Sequence, residues 1–146
     1  MMTHPDTGKN RAQVGLEYLA ILLVMIVALI PIFYIANQNT QTSRVGAEAY
    51  AAVRAIIAGV DSVYGQSPGT RTSVNVYLPP GYSANGSYFN KTVVSLRFYI
   101  SGGRYTDVYG STTGNVTGSP PAGPGYRILY ITMTRNNTVL IKNSTA

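Results

Sequence analysis

The chain has no cysteine and no tryptophan, and one histidine in 146 residues. Without cysteine there is no disulfide framework, thiolate zinc site, iron–sulfur ligation or cysteine nucleophile. A single histidine, His4, does not furnish a histidine-based metal site or a Ser–His triad. Five carboxylates, Asp6, Glu17, Glu48, Asp61 and Asp107, are thin material for general acid–base chemistry. Charged residues are 11% of the chain, against roughly 25% in an average soluble domain. The net charge of +6 therefore reflects scarce acids rather than dense bases. No basic run occurs, so no nucleic-acid partner is expected. The pair Gly102-Gly103 lacks the strand–loop–helix setting of a phosphate cradle. These absences argue against an enzyme and leave no catalytic, cofactor-binding or metal-ligating candidate.

What the chain has is a long apolar run. Tyr18 to Ala36 is 19 residues without a charge, twelve of them Leu, Ile, Val or Phe. Those twelve contribute roughly −4 to −7 kcal/mol to membrane insertion. Glu17 sits at the edge and does not cancel that sum. The length matches a bilayer-spanning helix, and Lys9 and Arg11 put the N-terminus on the cytoplasmic side. A secretory signal would have a shorter apolar region ending in small residues at a cleavage site. Here the run ends in Ile35-Ala36-Asn37-Gln38. A plain N-terminal membrane anchor is the competing reading.

The junction before the run is the more specific feature. Lys9-Asn10-Arg11-Ala12-Gln13-Val14-Gly15-Leu16-Glu17-Tyr18 resembles the class III signal peptide of archaeal type IV pilins and archaellins. The match covers roughly residues 8–40. The resemblance implies a short basic leader, residues 1–12, cut by a prepilin peptidase between Ala12 and Gln13. Glu17 would then be the fifth mature residue, where pilins carry a functional Glu. The chemistry agrees. A carboxylate one turn into a membrane helix is costly unless paired. The cut would create an amine at Gln13, four residues away on the same helical face. In a filament, Glu17 pairs instead with a neighbour's amine. The bland alternative is a Glu solvated among lipid headgroups.

Beyond the run the helical period persists. Pro31, inside the run, is expected to kink or loosen the helix. Val45, Ala49, Val53, Ile56, Ile57, Val60 and Tyr64 recur at three- and four-residue spacing. Arg44 and Glu48 are an i,i+4 pair off that stripe. Gly65 is a C-cap candidate followed by Pro68. The expected helix is therefore 13–65, about 80 Å if continuous. From Gln66 the period becomes that of strands: Thr72–Leu78, Thr92–Ile100, a short Arg104–Tyr109, Tyr126–Thr134, and Thr138–Lys142 closing a hairpin. Gly110–Gly125 reads as one long Gly/Ser/Thr/Pro loop. The expected fold class is α+β: a long N-terminal hydrophobic helix, then a small antiparallel β-sheet or sandwich domain over 66–146.

Five Asn-x-Ser/Thr sequons begin at Asn85, Asn90, Asn115, Asn136 and Asn143. Five of the six Asn residues from Asn85 onward carry one, although Ser and Thr are only about a quarter of that segment. The excess favours an extracellular, N-glycosylated domain. The competing reading is turn chemistry. Twelve Tyr suit either ordinary strand enrichment or an adhesive surface.

The resemblance implies a structural subunit of an adhesive archaeal type IV pilus. Such a subunit has its precursor in the cytoplasmic membrane and its mature form in an extracellular homopolymeric filament. Its partners would be the prepilin peptidase and, in trans, an assembly platform and ATPase. An archaellin of the swimming filament, or a single-helix membrane-anchored surface protein, are the alternatives.

Overall fold

A computed structural model describes residues 7–100 and 103–144; residues 1–6 of the expected leader lie outside them. One helix, α1, runs Thr7–Val63. It starts earlier than expected because nothing between Gly8 and Gln13 stops it: Lys, Arg, Ala and Gln all favour helix. It also passes without interruption through Pro31 and through the polar stretch 37–43. At its other end Tyr64 N–H still bonds Val60 O, and Gly65 takes φ +81. That left-handed cap is the reason a glycine stands there. The chain divides into two compact units between Thr40 and Gln41. The C-terminal part of α1 thus belongs to the β domain.

Five strands follow: β1 Arg71–Leu78, β2 Tyr82–Ile100, β3 Arg104–Gly118, β4 Gly125–Met133 and β5 Thr138–Asn143. They form a single sheet in the order β1-β4-β5-β3-β2. All neighbours are antiparallel except β3 and β5, which pair in parallel from Asn115↔Thr138 to Gly118↔Ile141. The α+β layout is as expected. The sheet is mixed rather than wholly antiparallel, and it is one sheet rather than a sandwich, because α1 takes the place of a second layer.

The stripe read from the helical period is the one that packs. Ala49, Val53, Ile56 and Val60 are buried against Val76, Leu78, Leu96, Phe98, Leu129 and Ile131 on one face of the sheet. Each fully buried Leu, Ile or Val contributes roughly 1.5–3 kcal/mol. Polar ties fix the helix end. Asp61 Oδ1 accepts from Thr113 N–H at 2.9 Å, and Asn137 Nδ2 donates to Tyr64 Oη at 3.3 Å.

The expected Gly110–Gly125 loop shrinks to the residues between Gly118 and Gly125, since β3 extends to Gly118. The glycines that looked like loop chemistry are instead packing positions. A Cβ on Gly110 would meet Ile57, and one on Gly114 would fall into the Tyr64 ring. Thr112, Gly114 and Val116 alternate inward beneath α1. The strand β2 also starts ten residues early, at Tyr82 rather than Thr92. Its alternation is hidden because Lys91 takes φ +52 and the register with β3 shifts between Lys91 and Val93. The inward set therefore changes from Phe89 to Val94, Leu96 and Phe98.

Replacing Gly114 by Val is expected to destabilise the β domain by about 1–3 kcal/mol, through overpacking against Tyr64. Thr113→Val, on the exposed side of the same strand, should stay within about 0.5 kcal/mol of wild type. Thermal unfolding followed by tyrosine near-ultraviolet circular dichroism checks both; equal effects would mean that the inward position is not tightly packed.

Candidate functional site

Two surfaces carry chemistry beyond the core. The first is the N-terminal part of α1. One stretch of the helix is long and apolar enough to cross a membrane, and none of that stretch is buried. Apolar side chains point out all round it: Leu19, Ile21, Leu22, Val24, Met25 and Val27, spread around the helix, are each at least 53% exposed. A helix apolar on every side needs lipid or other helices around it. Glu17 lies on this exposed helix, one residue before the uncharged run, and Ala12 and Gln13 lie on helical backbone. Pro31 is mid-run and exposed. Thr40 Oγ1 returns a hydrogen bond to Ala36 O at 2.9 Å, satisfying its hydroxyl within the helix.

The second surface is the outer face of the sheet, away from α1. Tyr77 and Tyr126, paired across β1 and β4, meet with ring centroids 4.9 Å apart and planes tilted by 49°. Tyr99, Tyr105, Tyr109 and Tyr130 are also exposed. Tyr82 is the exception: it is buried, its hydroxyl bonds Pro121 O at 2.9 Å, and burial raises its pKa. Across β2 and β3, Arg97 grips Asp107 with two hydrogen bonds, Nε at 2.7 Å and Nη2 at 2.8 Å. The guanidinium also lies 4.2 Å over the Tyr105 ring. The hydrogen bond from Arg97 holds the Asp107 carboxyl below its ordinary range.

Between β1, β4 and β5 the outer face carries an open groove of about 460 Å³. Arg71 and Lys142 flank it, with Tyr130, Thr132 and Ser144 between them. Registers Arg71↔Thr132 and Tyr130↔Lys142 place these side chains on one face. Among the described residues no carboxylate lines the groove. In the sequence, only parity marks Arg71, Tyr130 and Lys142: each stands one step out of phase with the buried apolar residues of its own strand.

The sequons fall at five different places. Asn85 and Asn90 are exposed on β2, Asn115 is exposed on β3, and Asn136 is exposed in the β4–β5 turn. The pairing Asn115↔Thr138 brings two of the sequons side by side. Asn143 is not at a free end. It ends β5 partly buried, and its Nδ2 donates to Ser119 O at 3.4 Å and Pro120 O at 3.1 Å. Its Oδ1 is buried with no partner among the described residues. Nδ2 is the atom a glycan would join, so Asn143 differs from the other four. Among the described residues no group of three His, Cys, Asp or Glu could hold a metal ion. No family model, curated protein or solved structure matches the chain.

Asp107→Asn is expected to lower the melting temperature at neutral pH. The folded pKa of Asp107 is depressed, so its contribution is present above the unfolded value, about 3.9. That contribution is lost as pH falls through the folded value. The difference between variant and wild type should therefore shrink in acid. A difference that stays constant from pH 7 to pH 2 would assign the effect to packing rather than to the ion pair.

Proposed function

We propose that the protein is the structural subunit of an extracellular filament of the archaeal type IV pilus kind, cut between Ala12 and Gln13 and polymerised through α1. The observation that carries this reading is the coincidence, on one helix, of two things. One is an apolar segment exposed on every side. The other is a single carboxylate, Glu17, at its threshold, five residues after Ala12. In the membrane, lipid covers the apolar segment; in a filament, like helices do, so transfer between them exposes no apolar surface to water. The β domain, with four exposed sequon asparagines, then faces the medium. Hydrolysis of ATP and cleavage of the leader fall to proteins acting in trans.

The role of Glu17 follows from electrostatics. Cleavage frees an amine at Gln13. In a helix bundle that amine and a neighbour's Glu17 neutralise each other where water is scarce, and removing one partner strands the other.

Mass spectrometry of the mature protein should find Gln13 at the N-terminus. A chain that keeps residues 1–12 would fit a single-helix surface anchor instead. Glu17→Ala should leave membrane insertion intact, since losing a charge favours it, while filament yield falls sharply. Equal yields from variant and wild type would remove the pairing role.

Glycopeptide mapping is expected to find sugar at Asn85, Asn90, Asn115 or Asn136 and none at Asn143, whose amide nitrogen is engaged. Occupancy of Asn143 would show that the end of β5 opens. A bare chain mass would reduce the sequons to turn chemistry.

A further inference from the structure

The groove lies on the outer sheet face, opposite the face that α1 covers. Residues 66–146 hold seven Lys and Arg and one carboxylate, Asp107. That carboxylate is already bound to Arg97. Glu48 and Asp61, the other carboxylates of the same compact unit, lie on α1 and are engaged by Arg44 and by Thr113 N–H, so the cations of the sheet outnumber its acids. Arg71 and Lys142 stand out among them because they converge on one concavity. Neither side chain has a hydrogen bond or ion pair among the described residues.

We propose that the groove between β1, β4 and β5 binds an acidic saccharide, its carboxylate or sulfate held by Arg71 and Lys142 and a sugar ring resting on Tyr130. Two like charges facing one hollow repel each other, and an anion between them relieves that repulsion. Arg71 offers a planar fork that matches a carboxylate or sulfate with two bonds, while Lys142 adds a mobile point charge. They stand on strands two spacings apart, about 10 Å at the backbone. Between them Tyr130, 49% exposed, presents a flat ring. The C–H face of a sugar covers such a ring while its hydroxyls stay hydrogen-bonded. Hydroxyls of Thr132 and Ser144 line the same groove. Its volume falls within the range of small-ligand clefts. A nucleic-acid duplex fits less well: it binds by neutralising many phosphates along a rod, whereas this groove holds two cations across a short hollow.

The inference extends the adhesive-filament reading and is tested apart from it. The full-length chain in detergent is titrated with oligogalacturonate, with a sulfated glycosaminoglycan oligosaccharide, with neutral dextran and with duplex DNA. Binding to at least one acidic saccharide is expected, weakening as salt rises, with none to dextran. The double variant Arg71→Gln/Lys142→Gln should lose about ten-fold or more in affinity. Tyr130→Ala should also weaken binding and leave its salt dependence unchanged. The control Arg104→Gln/Arg135→Gln removes the same charge elsewhere in the domain and should change affinity less than about three-fold. Equal losses from the two double variants would overturn the groove in favour of diffuse surface charge. So would binding of dextran, or duplex DNA binding more tightly than either acidic saccharide. These titrations need no filament, so a failure to assemble and a failure to bind sugar are separate results.

Discussion

The seat of α1 on the sheet is the contact on which the rest depends. Val53, Ile56 and Val60 have almost no exposed surface, and neither do Leu96, Phe98, Leu129 and Ile131 beneath them. Among the described residues no second sheet covers this one, and the helical stripe serves as its second layer. The contact also explains the glycines. Gly59 approaches Val74 and Ile131 so closely that a Cβ would collide with both, and Gly110 and Gly114 make room for Ile57 and Tyr64. A helix and a sheet come this near only where one of them gives up its side chains. The inner face is thereby committed to α1, and the outer face is left to carry tyrosines and cations.

Along one helix, two surroundings follow each other. Around Ala49 and Ile56 the apolar residues form a stripe with polar neighbours, and protein covers them. Around Leu22 and Ile30 they occupy every side, and none of the described residues covers them. Composition alone separates the two: a stripe asks for one partner surface, a full ring asks for a solvent or a bundle. The break between compact units at Thr40 and Gln41 falls inside the polar stretch that divides these patterns. An apolar ring and an apolar stripe ask for different surroundings, and a polar stretch is what separates them along one helix.

Most of the fold was legible wherever periodicity was clean. Spacing marks Ala49, Val53, Ile56 and Val60 on the helix, Val76 and Leu78 on β1, and Leu129, Ile131 and Met133 on β4, and all of these are buried, while Val45, Ile57, Tyr64 and Val74 at the margins of the same patterns are half-buried. The sequence was opaque where small residues do packing work. Ser111-Thr112-Thr113-Gly114 has the composition of a loop, yet it is a strand whose inward places are filled from the helix side. Around Asn90 and Lys91 a left-handed residue breaks the two-residue period, so a strand reads as two fragments. The parallel β3–β5 pair was invisible for another reason: strand neighbours are set by topology, not by local pattern. The outer groove needed that same topology, since Arg71 and Lys142 are 71 positions apart in sequence and meet only across β4.

The position of β5 has a consequence for how the domain comes together. β1 pairs with β4, and β2 with β3, but only Thr138–Asn143 joins those two pairs. β4 and β5 form a tight hairpin closed by Thr134 N–H on Thr138 O, so that pairing is local, whereas the parallel pairing of β3 with β5 joins residues 23 positions apart, from Asn115 to Thr138. The seam between β3 and β5 is therefore the non-local closure of the sheet, and non-local pairing is the slow kind. Until the two strands meet, each offers unpaired backbone to any extended chain nearby, a second copy of this one included.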